Sequence, residues 1–562
     1  MRMARVGVLF DVRVAKRRWA RGENTFQRYI GEILEYAGIP FCWLDGPEGL
    51  FSEPFDLCVA ALTQEGKESE DILLSFAERG GEVIAFGGLD GLGTRLGVRE
   101  GKVEGPGYTR FPEEDHPLLR YLEAVPWIPL RARLSEVRGT LHSGVPDGPK
   151  VGSAVVRLPF GRGGITRWAV DLPSTILQLQ QGARPVRKDG KPAPDGSGAL
   201  DDGILKADDG FALDWEWDRA VTPTGQKYFA IPYGDWWREE IIRSLTTAAL
   251  DRGLTLPRID PWPEKANRVA MISLDSDGNQ DEHAETTLDL LAECGVSATW
   301  CMMEPGYSPK LYSRIREAGH EVAFHFNAYE RDGGEWEERE FHRQLAWLRK
   351  VAGSSSVVSN KNHYTRFQGW TELFAWCERA GIRSDQTRGP SKRGNVGFLF
   401  GTCRPYFPLS WAEEGNRRLD VLEIGFLTQD LDLGSWADSS IIEPFLDRVG
   451  QVQGVAHFLF HPIHLHRDEK VRSALRRVVR EAKRCGFGFW TGEAIDDWER
   501  RRRRLTIQGV SEGGEPIVKG AVAGAVLSVP LPEGAAGLNK RGQVRKWMLT
   551  AGVTPAEQGG AR

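Results

Sequence analysis

The stretch from Val269 to Gly278 constrains the chain most strongly, because an apolar run ends there in two carboxylates and a glycine. Such a run predicts a buried strand. In barrels of parallel strands the carboxyl ends of the strands form the active face, so Asp275 and Asp277 are candidates for metal binding or base chemistry. Taken alone, an Asp-x-Asp-Gly segment can equally be a turn or the N-cap of a following helix.

The segments that follow this strand alternate between helical and extended patterns. Helical periodicity covers Ala284–Cys294, Lys310–Ala318 and Trp370–Ala380. Three further stretches place polar residues at or near predicted strand ends: Gly319 to His325 (G-H-E-V-A-F-H), Asn360 to Arg366 (N-K-N-H-Y-T-R) and Ala456 to Pro462 (A-H-F-L-F-H-P).

This succession resembles the polysaccharide deacetylase (NodB-homology) family, whose first motif is a strand ending T-F-D-D-G and whose second is G-H-E-[IV]-x-x-H. The most specific match is Gly319-His320-Glu321-Val322 followed by His325 at the expected distance. The resemblance extends from about Arg268 to about Trp498. It implies a deformed seven-stranded (β/α)7 NodB-type barrel.

The resemblance also implies a role for each matched polar residue. Asp275 corresponds to the general base and His461 to the general acid, whereas Asp277 and His325 correspond to ligands of a divalent metal, with zinc favoured. Such a metal lowers the pKa of its water and polarises an amide carbonyl. Because Ser276 separates the two acids, the roles of Asp275 and Asp277 could be exchanged.

Tyr329 stands where the family places its second metal histidine. Tyrosine is a poor zinc ligand at neutral pH because its phenol titrates near ~10. His363, at the end of a predicted strand, is the candidate third ligand, although it can equally be a hydrogen-bonded histidine of the wall. Asn327 and His464 are weaker alternatives for the third ligand, and His464 is expected to lie in a loop. His283 is expected on a solvated helix face.

Aromatic residues accompany these motifs, in a chain that contains 19 tryptophans. Flat apolar rings suit the C–H faces of sugars, although most tryptophans are ordinary core residues. Tyr329, Tyr364 and Trp370, together with Arg366, are therefore predicted to bind the substrate. The expected substrate is a carbohydrate or a small amidated molecule.

The first 260 residues alternate short apolar runs with amphipathic stretches, which predicts a mainly parallel sheet with helices on both faces. The order of strands and the stretch Glu82 to Gly88 (E-V-I-A-F-G-G) resemble glutamine-amidotransferase-like, flavodoxin-like domains. True amidotransferases place a nucleophilic cysteine in a G-x-C-x-G elbow, and neither Cys42 nor Cys58 has that frame. A non-catalytic scaffolding, dimerising or ligand-sensing role is predicted.

Composition shifts divide the chain into an amidotransferase-like domain (1–260), a deacetylase-like barrel (266–500) and a small β-rich module (505–562). Residues 182–210 are rich in Gly, Pro, Asp and Lys and predict a long surface loop. The three prolines between Leu256 and Pro263 predict a stiff linker.

Charge and cysteine content exclude several classes of protein. A net charge of -5 argues against a nucleic-acid or anionic-membrane partner. The basic run Arg500–Arg504 is interpreted as a solvated helix end. Seven scattered cysteines without a C-x-x-C pair suit a reducing compartment, and Met1 leads directly into a predicted strand without a signal-peptide pattern, so a cytoplasmic location is expected.

The leading hypothesis is metal-dependent hydrolysis of a carbon–nitrogen bond, with N-deacetylation of an amino sugar or glycan as the expected reaction. An inactive deacetylase fold that binds carbohydrate or acts as a scaffold is the second hypothesis, because Tyr329 replaces a ligand. A glycoside hydrolase that uses Asp275 and Asp277 is the third. Homo-oligomerisation is left open.

Overall fold

Two large β-sheets dominate the computed structural model, which describes residues 1–113, 115–190, 192–196, 203–533 and 543–549. The strands are β1 (Val6–Phe10), β2 (Cys42–Leu44), β3 (Leu57–Leu62), β4 (Glu82–Phe86), β5 (Val98–Glu100), β6 (Gly107–Arg110), β7 (Leu119–Tyr121), β8 (Trp127–Pro129), β9 (Glu136–Ser143), β10 (Lys150–Phe160), β11 (Gly163–Trp168), β12 (Arg219–Val221), β13 (Lys227–Phe229), β14 (Arg258–Ile259), β15 (Val269–Asp275), β16 (Thr299–Met302), β17 (Glu321–Phe326), β18 (Ser359–Asn362), β19 (Ser384–Asp385), β20 (Leu422–Glu423), β21 (Thr428–Gln429), β22 (Val455–Phe460), β23 (Gly488–Phe489), β24 (Thr506–Val510), β25 (Pro516–Lys519), β26 (Val526–Pro530) and β27 (Val544–Met548). The α-helices are α1 (Val12–Trp19), α2 (Ile30–Tyr36), α3 (Lys67–Glu78), α4 (Asp90–Arg95), α5 (Leu172–Gln181), α6 (Tyr233–Leu250), α7 (Asp281–Cys294), α8 (Pro309–Glu317), α9 (Glu338–Val351), α10 (Glu372–Ala380), α11 (Ile442–Val452), α12 (Pro462–Arg467), α13 (Glu469–Arg484) and α14 (Gly492–Arg502). Among the described residues, no helix is both long and apolar enough to cross a bilayer.

The N-terminal sheet has the order β2-β1-β3-β4-β11-β10-β9-β6-β7. Strands β2, β1, β3, β4 and β11 are parallel, and β1, β3 and β4 are buried throughout, as expected for strands covered on both faces. The expectation of a mainly parallel sheet is wrong for the other half, because β11, β10, β9, β6 and β7 pair antiparallel. The reason is local: only Gly161 and Arg162 separate β10 from β11, and so short a turn can join only antiparallel strands.

The second sheet is parallel and curled, with the order β20-β19-β18-β17-β16-β15-β22-β21 and with β23 also paired to β15. Its outer strands β20 and β21 are not joined, so the sheet is an open half-barrel. In the described residues it has nine paired segments rather than seven, and β19, β20, β21 and β23 are only two residues long. The expected parallel α/β architecture is confirmed, and it brings the carboxyl ends of β15, β17, β18, β21 and β22 to one edge.

The predicted linker and the C-terminal module are joined by pairing. Strand β14 lies within the proline-rich segment and pairs antiparallel with β26, which in turn pairs with β27. The segment predicted as a linker is therefore partly a strand of a small sheet. The predicted tail beyond residue 549 lies outside the described residues, and the three domain boundaries remain predictions.

The basic run at the end of α14 joins the two halves of the molecule. Glu32 of α2 accepts two hydrogen bonds of 2.7 Å from the Arg503 guanidinium, and the side chain of Glu32 is 1% exposed. Arg502 is also buried, and it donates to Glu499 and to the carbonyl oxygen of Tyr36. The interpretation of Arg500–Arg504 as a solvated helix end is wrong for these residues, because carboxylates and carbonyls of packed helices surround them.

We predict that Glu32→Ala lowers the free energy of unfolding by about 3 kcal/mol, because both Nη groups of the buried Arg503 lose their carboxylate acceptor and only Nε keeps one, in Glu499. Urea denaturation of the full chain measures this change. Glu35→Ala on the same helix is the matched control. Its side chain is 38% exposed and its partner Arg418 41% exposed, so the loss there should stay below about 1 kcal/mol. Equal losses for the two variants would contradict the role assigned to Glu32.

Candidate functional site

A cavity of about 500 Å³ opens at the carboxyl edge of the curled sheet and is called the barrel-edge cavity here. Asp275 and Asp277 enter it from the end of β15, His363 from the residue after β18, and Asp430 and His461 from the residues after β21 and β22. Parallel strands force this convergence because all their carboxyl ends point the same way. The structure thus brings together acids and imidazoles that are far apart in the sequence.

Asp277, His325 and His363 form the tightest group of possible metal ligands at this edge. Oδ1 of Asp277 lies 3.2 Å from Nε2 of His325 and 3.3 Å from Nδ1 of His363. One ligand atom from each of the three residues lies within 4.8 Å of the others. A tetrahedral ion with bonds of about 2.0 to 2.1 Å separates its ligand atoms by about 3.3 to 3.4 Å. The observed spacing therefore fits a zinc-sized ion.

The hydrogen bonds of the two histidines orient their lone pairs towards this point. Nδ1 of His325 lies 2.9 Å from the carbonyl oxygen of Lys361, which can only accept, so Nδ1 carries the hydrogen. In the neutral ring Nε2 is then an unprotonated acceptor that faces Asp277. His363 is arranged similarly, with Nε2 3.3 Å from Oδ2 of Asp332 and Nδ1 towards Asp277.

Acceptor atoms that face each other in a buried place need a proton or a cation between them. Among the described residues, Oδ1 of Asp277 and Nε2 of His325 are buried without a hydrogen-bond partner. Burial opposes ionisation of Asp277, but the two imidazoles outweigh it and hold the pKa of that carboxyl well below its usual value. Burial likewise opposes charge on His363, and Asp277 nevertheless raises the pKa of that ring. The donor set fits a divalent cation.

Asp275 lies beside this group and is held by a buried lysine. Nζ of Lys361 is 3.3 Å from Oδ1 of Asp275 and donates to Oγ of Ser273 at 2.5 Å. The opposite oxygen of Asp275 is 3.9 Å from Nε2 of His325. His457 fixes Ser273 from the other side, with Nε2 2.8 Å from the hydroxyl. The ion pair with Lys361 therefore positions the carboxylate of Asp275 next to the three possible ligands.

His461 reaches the cavity with its ring fixed by Asp430. One oxygen of Asp430 accepts from the backbone N–H of His461 at 2.9 Å, and the other makes a very short contact with Nδ1 of its ring. Nε2 then points towards Asp277, 3.7 Å from Oδ2. Burial disfavours the charged ring, but the charge and hydrogen bond of Asp430 outweigh it and raise the pKa of His461 to about 10. The imidazole is therefore a proton donor at neutral pH.

The residues predicted to bind substrate lie in different surroundings. Tyr364 lines the cavity with 45% of its side chain exposed, and the ring of Tyr329 packs against it at 5.1 Å. The prediction for Trp370 is wrong, because the residue is buried, donates to the carbonyl oxygen of Leu409 and stacks on Phe26. Arg366 does not line the described cavity wall either, because its guanidinium lies over Trp336.

Two expectations for other histidines are also wrong. His283 is buried in α7, where its Nδ1 lies 3.2 Å from the carbonyl oxygen of Gly278, so it is not on a solvated face. His464 lies in helix α12 rather than in a loop, and it lines the barrel-edge cavity near His461. His320 has a structural role, since its Nδ1 accepts from the backbone N–H of Ala298.

Sequence reasoning did not single out Asp430, Lys361 or Trp436. Asp430 follows a strand of only two residues, and Lys361 occupies a buried strand position that normally holds an apolar side chain. One signal in the sequence could have identified Lys361: it is an isolated lysine in a predicted strand, next to a candidate ligand. Trp436 lines the cavity, as Tyr364 does, and supplies a second ring.

The loop predicted over residues 182–210 closes part of the barrel-edge cavity. Lys206 from this segment lines the cavity, and its backbone pairs with Arg366. Asp208 accepts from the backbone N–H groups of Ser391 and Lys392 at 3.1 and 3.0 Å. The segment before the second sheet therefore contributes directly to the wall of the site.

Comparison with known proteins gives matches only among solved structures. No protein-family model and no curated protein sequence matches the chain. The chain is similar to a proposed polysaccharide deacetylase from Mycobacterium smegmatis, with 16% identity over 43% of this chain and 93% of that chain and a TM-score of 0.31. It is similar to a family 4 carbohydrate esterase from Streptomyces lividans in complex with acetate, with 11% identity, 40% and 92% coverage and a TM-score of 0.24. It is also similar to a CE4-family pseudoenzyme from Bacillus anthracis, with 13% identity, 42% and 67% coverage and a TM-score of 0.25.

We predict that the purified protein binds close to one equivalent of zinc and that His325→Ala and His363→Ala each abolish stoichiometric binding, because each removes one of three ligands. Metal content after dialysis, measured by inductively coupled plasma mass spectrometry, tests this. His342→Ala is the matched control, since His342 is 45% exposed on α9. Full zinc occupancy in His363→Ala would show that His363 is only a wall residue.

Proposed function

We propose that the barrel-edge cavity hydrolyses the amide bond of an N-acetylated amino sugar or glycan. The observation that carries this proposal is the convergence of Asp277, His325 and His363 on one point, with Asp275 next to His325 and His461 next to Asp277. Amide hydrolysis needs an activated water, a polarised carbonyl, a base and an acid for the leaving amine. The cavity offers a chemically suitable group for each task.

Asp277, His325 and His363 would hold the divalent metal. When bound, such an ion polarises the amide carbonyl and increases the acidity of the attacking water. The chain itself fixes the ligands: the carbonyl oxygen of Lys361 orients His325, and Asp332 orients His363. Outer contacts of this kind set the tautomer and direction of a ligating imidazole.

Asp275 is the proposed general base. Its carboxylate lies on the edge of the ligand group, 3.3 Å from the ammonium group of Lys361, where it can take the proton of the attacking water. Lys361 is 0% exposed and donates to Ser273, which prevents the ammonium group from swinging away. The base therefore keeps a fixed position while its other oxygen faces the reacting region.

His461 is the proposed general acid. Asp430 holds Nδ1 and leaves Nε2 to deliver a proton to the nitrogen of the leaving amine. A leaving amine needs that proton because an amide anion is too basic to depart. Asp275 and His461 thus act on opposite sides of the bond that breaks.

Two rings favour a sugar as the substrate. Tyr364 and Trp436 line the barrel-edge cavity, and aromatic faces suit the C–H surface of a pyranose. The apolar lining sits beside the polar group of Asp275, Asp277 and His461, as expected for a ligand with an apolar face and a reacting amide.

The paired acids give less support to a glycoside hydrolase. That reaction needs one carboxyl that stays protonated as the general acid. The imidazoles hold the pKa of Asp277 well below its usual value, and Asp275 forms an ion pair with Lys361. Neither carboxyl is placed to donate a proton.

The inactive-fold hypothesis loses its main support if His363 supplies the ligand that Tyr329 cannot.

We predict that the zinc-loaded protein releases acetate from N-acetylglucosamine oligomers and that Asp275→Asn lowers kcat by about 10²- to 10⁴-fold while zinc is retained. The variant removes the base but none of the three ligands. Enzymatic detection of acetate with parallel metal analysis tests both statements. Asp289→Asn, an exposed change on α7, is the control. A zinc-loaded wild type that releases no acetate from any N-acetylated sugar would contradict the proposed activity.

The pairing of Asp430 with His461 predicts a pH effect. Asp430 raises the pKa of His461, so Asp430→Asn should lower that pKa towards its ordinary value. The acid must be protonated to act, so the alkaline limb of kcat/KM should shift to lower pH. The pH profile of acetate release measures this shift. A variant with lower kcat but an unmoved alkaline limb would show that Asp430 only supports the local structure.

A further inference from the structure

A second cavity, of about 530 Å³, lies in the N-terminal half and is called the N-terminal cavity here. Its wall is formed by the segments that follow β3, β4 and β11, together with α1. In open α/β sheets, ligands bind outside the carboxyl ends of the parallel strands, where the order of strands reverses. Every described residue of its wall lies before residue 172, so this cavity is separate from the barrel-edge cavity.

The turn after β4 has an unusual backbone. Gly87 and Gly88 have φ values of 76° and 62°, and the next residue, Leu89, has a φ of 63°. A positive φ is uncommon for leucine and costs free energy that the surrounding structure must supply. Apart from the two adjacent residues, no atom in the described part of the chain lies within 4 Å of the position that a Cβ would take at Gly88. The turn therefore exposes its backbone to the cavity.

Arg167 presents a fixed donor in this cavity. The residue is 1% exposed, its Nε donates to the carbonyl oxygen of Gly88 at 3.0 Å, and its Nη1 donates to the carbonyl oxygen of Val125. Among the described residues Nη2 has no hydrogen-bond partner, and Oδ1 of Asp90 is 3.6 Å away. A buried guanidinium N–H without a hydrogen bond is costly, so this donor, which has only the longer ion-pair contact with Asp90, can bind an acceptor from outside the chain.

Gln27 presents an acceptor that is unsatisfied in the same way. Its Nε2 donates to Oδ2 of Asp171 at 2.6 Å, which fixes the orientation of the amide. Asp171 is itself held by the backbone N–H and hydroxyl of Ser174. Oε1 of Gln27 is buried and has no donor within the described part of the chain. The cavity thus contains one rigid donor and one rigid acceptor without partners.

The charges of the wall indicate the kind of ligand. Arginines and acids both line it, namely Arg17, Arg18 and Arg167 against Glu65, Asp90, Glu100, Glu123 and Asp171. The acids outnumber the arginines, so an anion such as phosphate would face net repulsion. A hydrogen bond with Asp90 raises the pKa of Glu100 to about 7, which makes this pair of carboxyls able both to donate and to accept.

We propose that the N-terminal cavity binds a mono- or disaccharide without covalent chemistry. Hydroxyl groups donate and accept, so one can accept from Nη2 of Arg167 while another donates to Oε1 of Gln27. Among the described wall residues there is no cysteine, serine, lysine or histidine. The volume lies within the usual range for small-ligand sites. This inference does not depend on the reaction proposed for the other cavity.

Isothermal titration of the full chain with glucose, galactose, N-acetylglucosamine and maltose tests the proposal. At least one of these sugars should bind, and Gln27→Leu and Arg167→Lys should each weaken binding about tenfold, because each removes one hydrogen bond to the ligand. Gln451→Leu and Arg162→Lys are matched controls away from the cavity and should bind like the wild type. If Arg167→Lys fails to fold, the result for Gln27→Leu alone decides whether the N-terminal cavity binds the sugar.

His325→Ala separates the two cavities, because it disrupts only the barrel-edge group. Sugar binding that persists in His325→Ala and falls in Gln27→Leu supports the N-terminal cavity. The proposal is overturned if none of the sugars binds at millimolar concentration, if Gln27→Leu binds them as well as the wild type, or if glutamate or inorganic phosphate binds in their place with the same sensitivity to Gln27→Leu.

Discussion

The group formed by Asp277, His325 and His363 is the constraint on which the rest of the site depends. Three acceptor atoms lie within 4.8 Å of one another, and two of them are buried without a hydrogen-bond partner in the described residues. Such an arrangement is unfavourable unless a proton or a cation lies between the atoms. The open, curled sheet creates it, because the parallel strands β15, β17 and β18 end at one edge.

The surrounding residues keep this group and its two neighbours in fixed positions. Lys361 contributes twice, since its carbonyl oxygen orients His325 and its ammonium group holds Asp275. Asp430 likewise fixes the ring of His461 through its contact with Nδ1. The segment around Lys206 and Asp208 then covers one side of the cavity, so the N-terminal half helps to shape the barrel-edge site even though its own cavity lies elsewhere.

Residues at strand ends could be singled out from the sequence more easily than their surroundings. Asp275, Asp277 and His325 lie at or near the ends of apolar strands, and their convergence was expected from the family resemblance together with this pattern. Asp430 follows a two-residue strand with no detectable pattern, and Trp370 belongs to a contact between the two halves that local periodicity does not encode. The antiparallel half of the first sheet and the buried Arg502 and Arg503 likewise depend on tertiary packing.

X-ray absorption at the zinc edge of the metal-loaded wild type tests most directly whether Asp277, His325 and His363 bind zinc. If they do, the first shell should contain two imidazole nitrogens and one carboxylate oxygen at about 2.0 to 2.2 Å, with the remaining position held by solvent. A shell containing sulfur at about 2.3 Å, only one imidazole, or no stoichiometric zinc at all would contradict it.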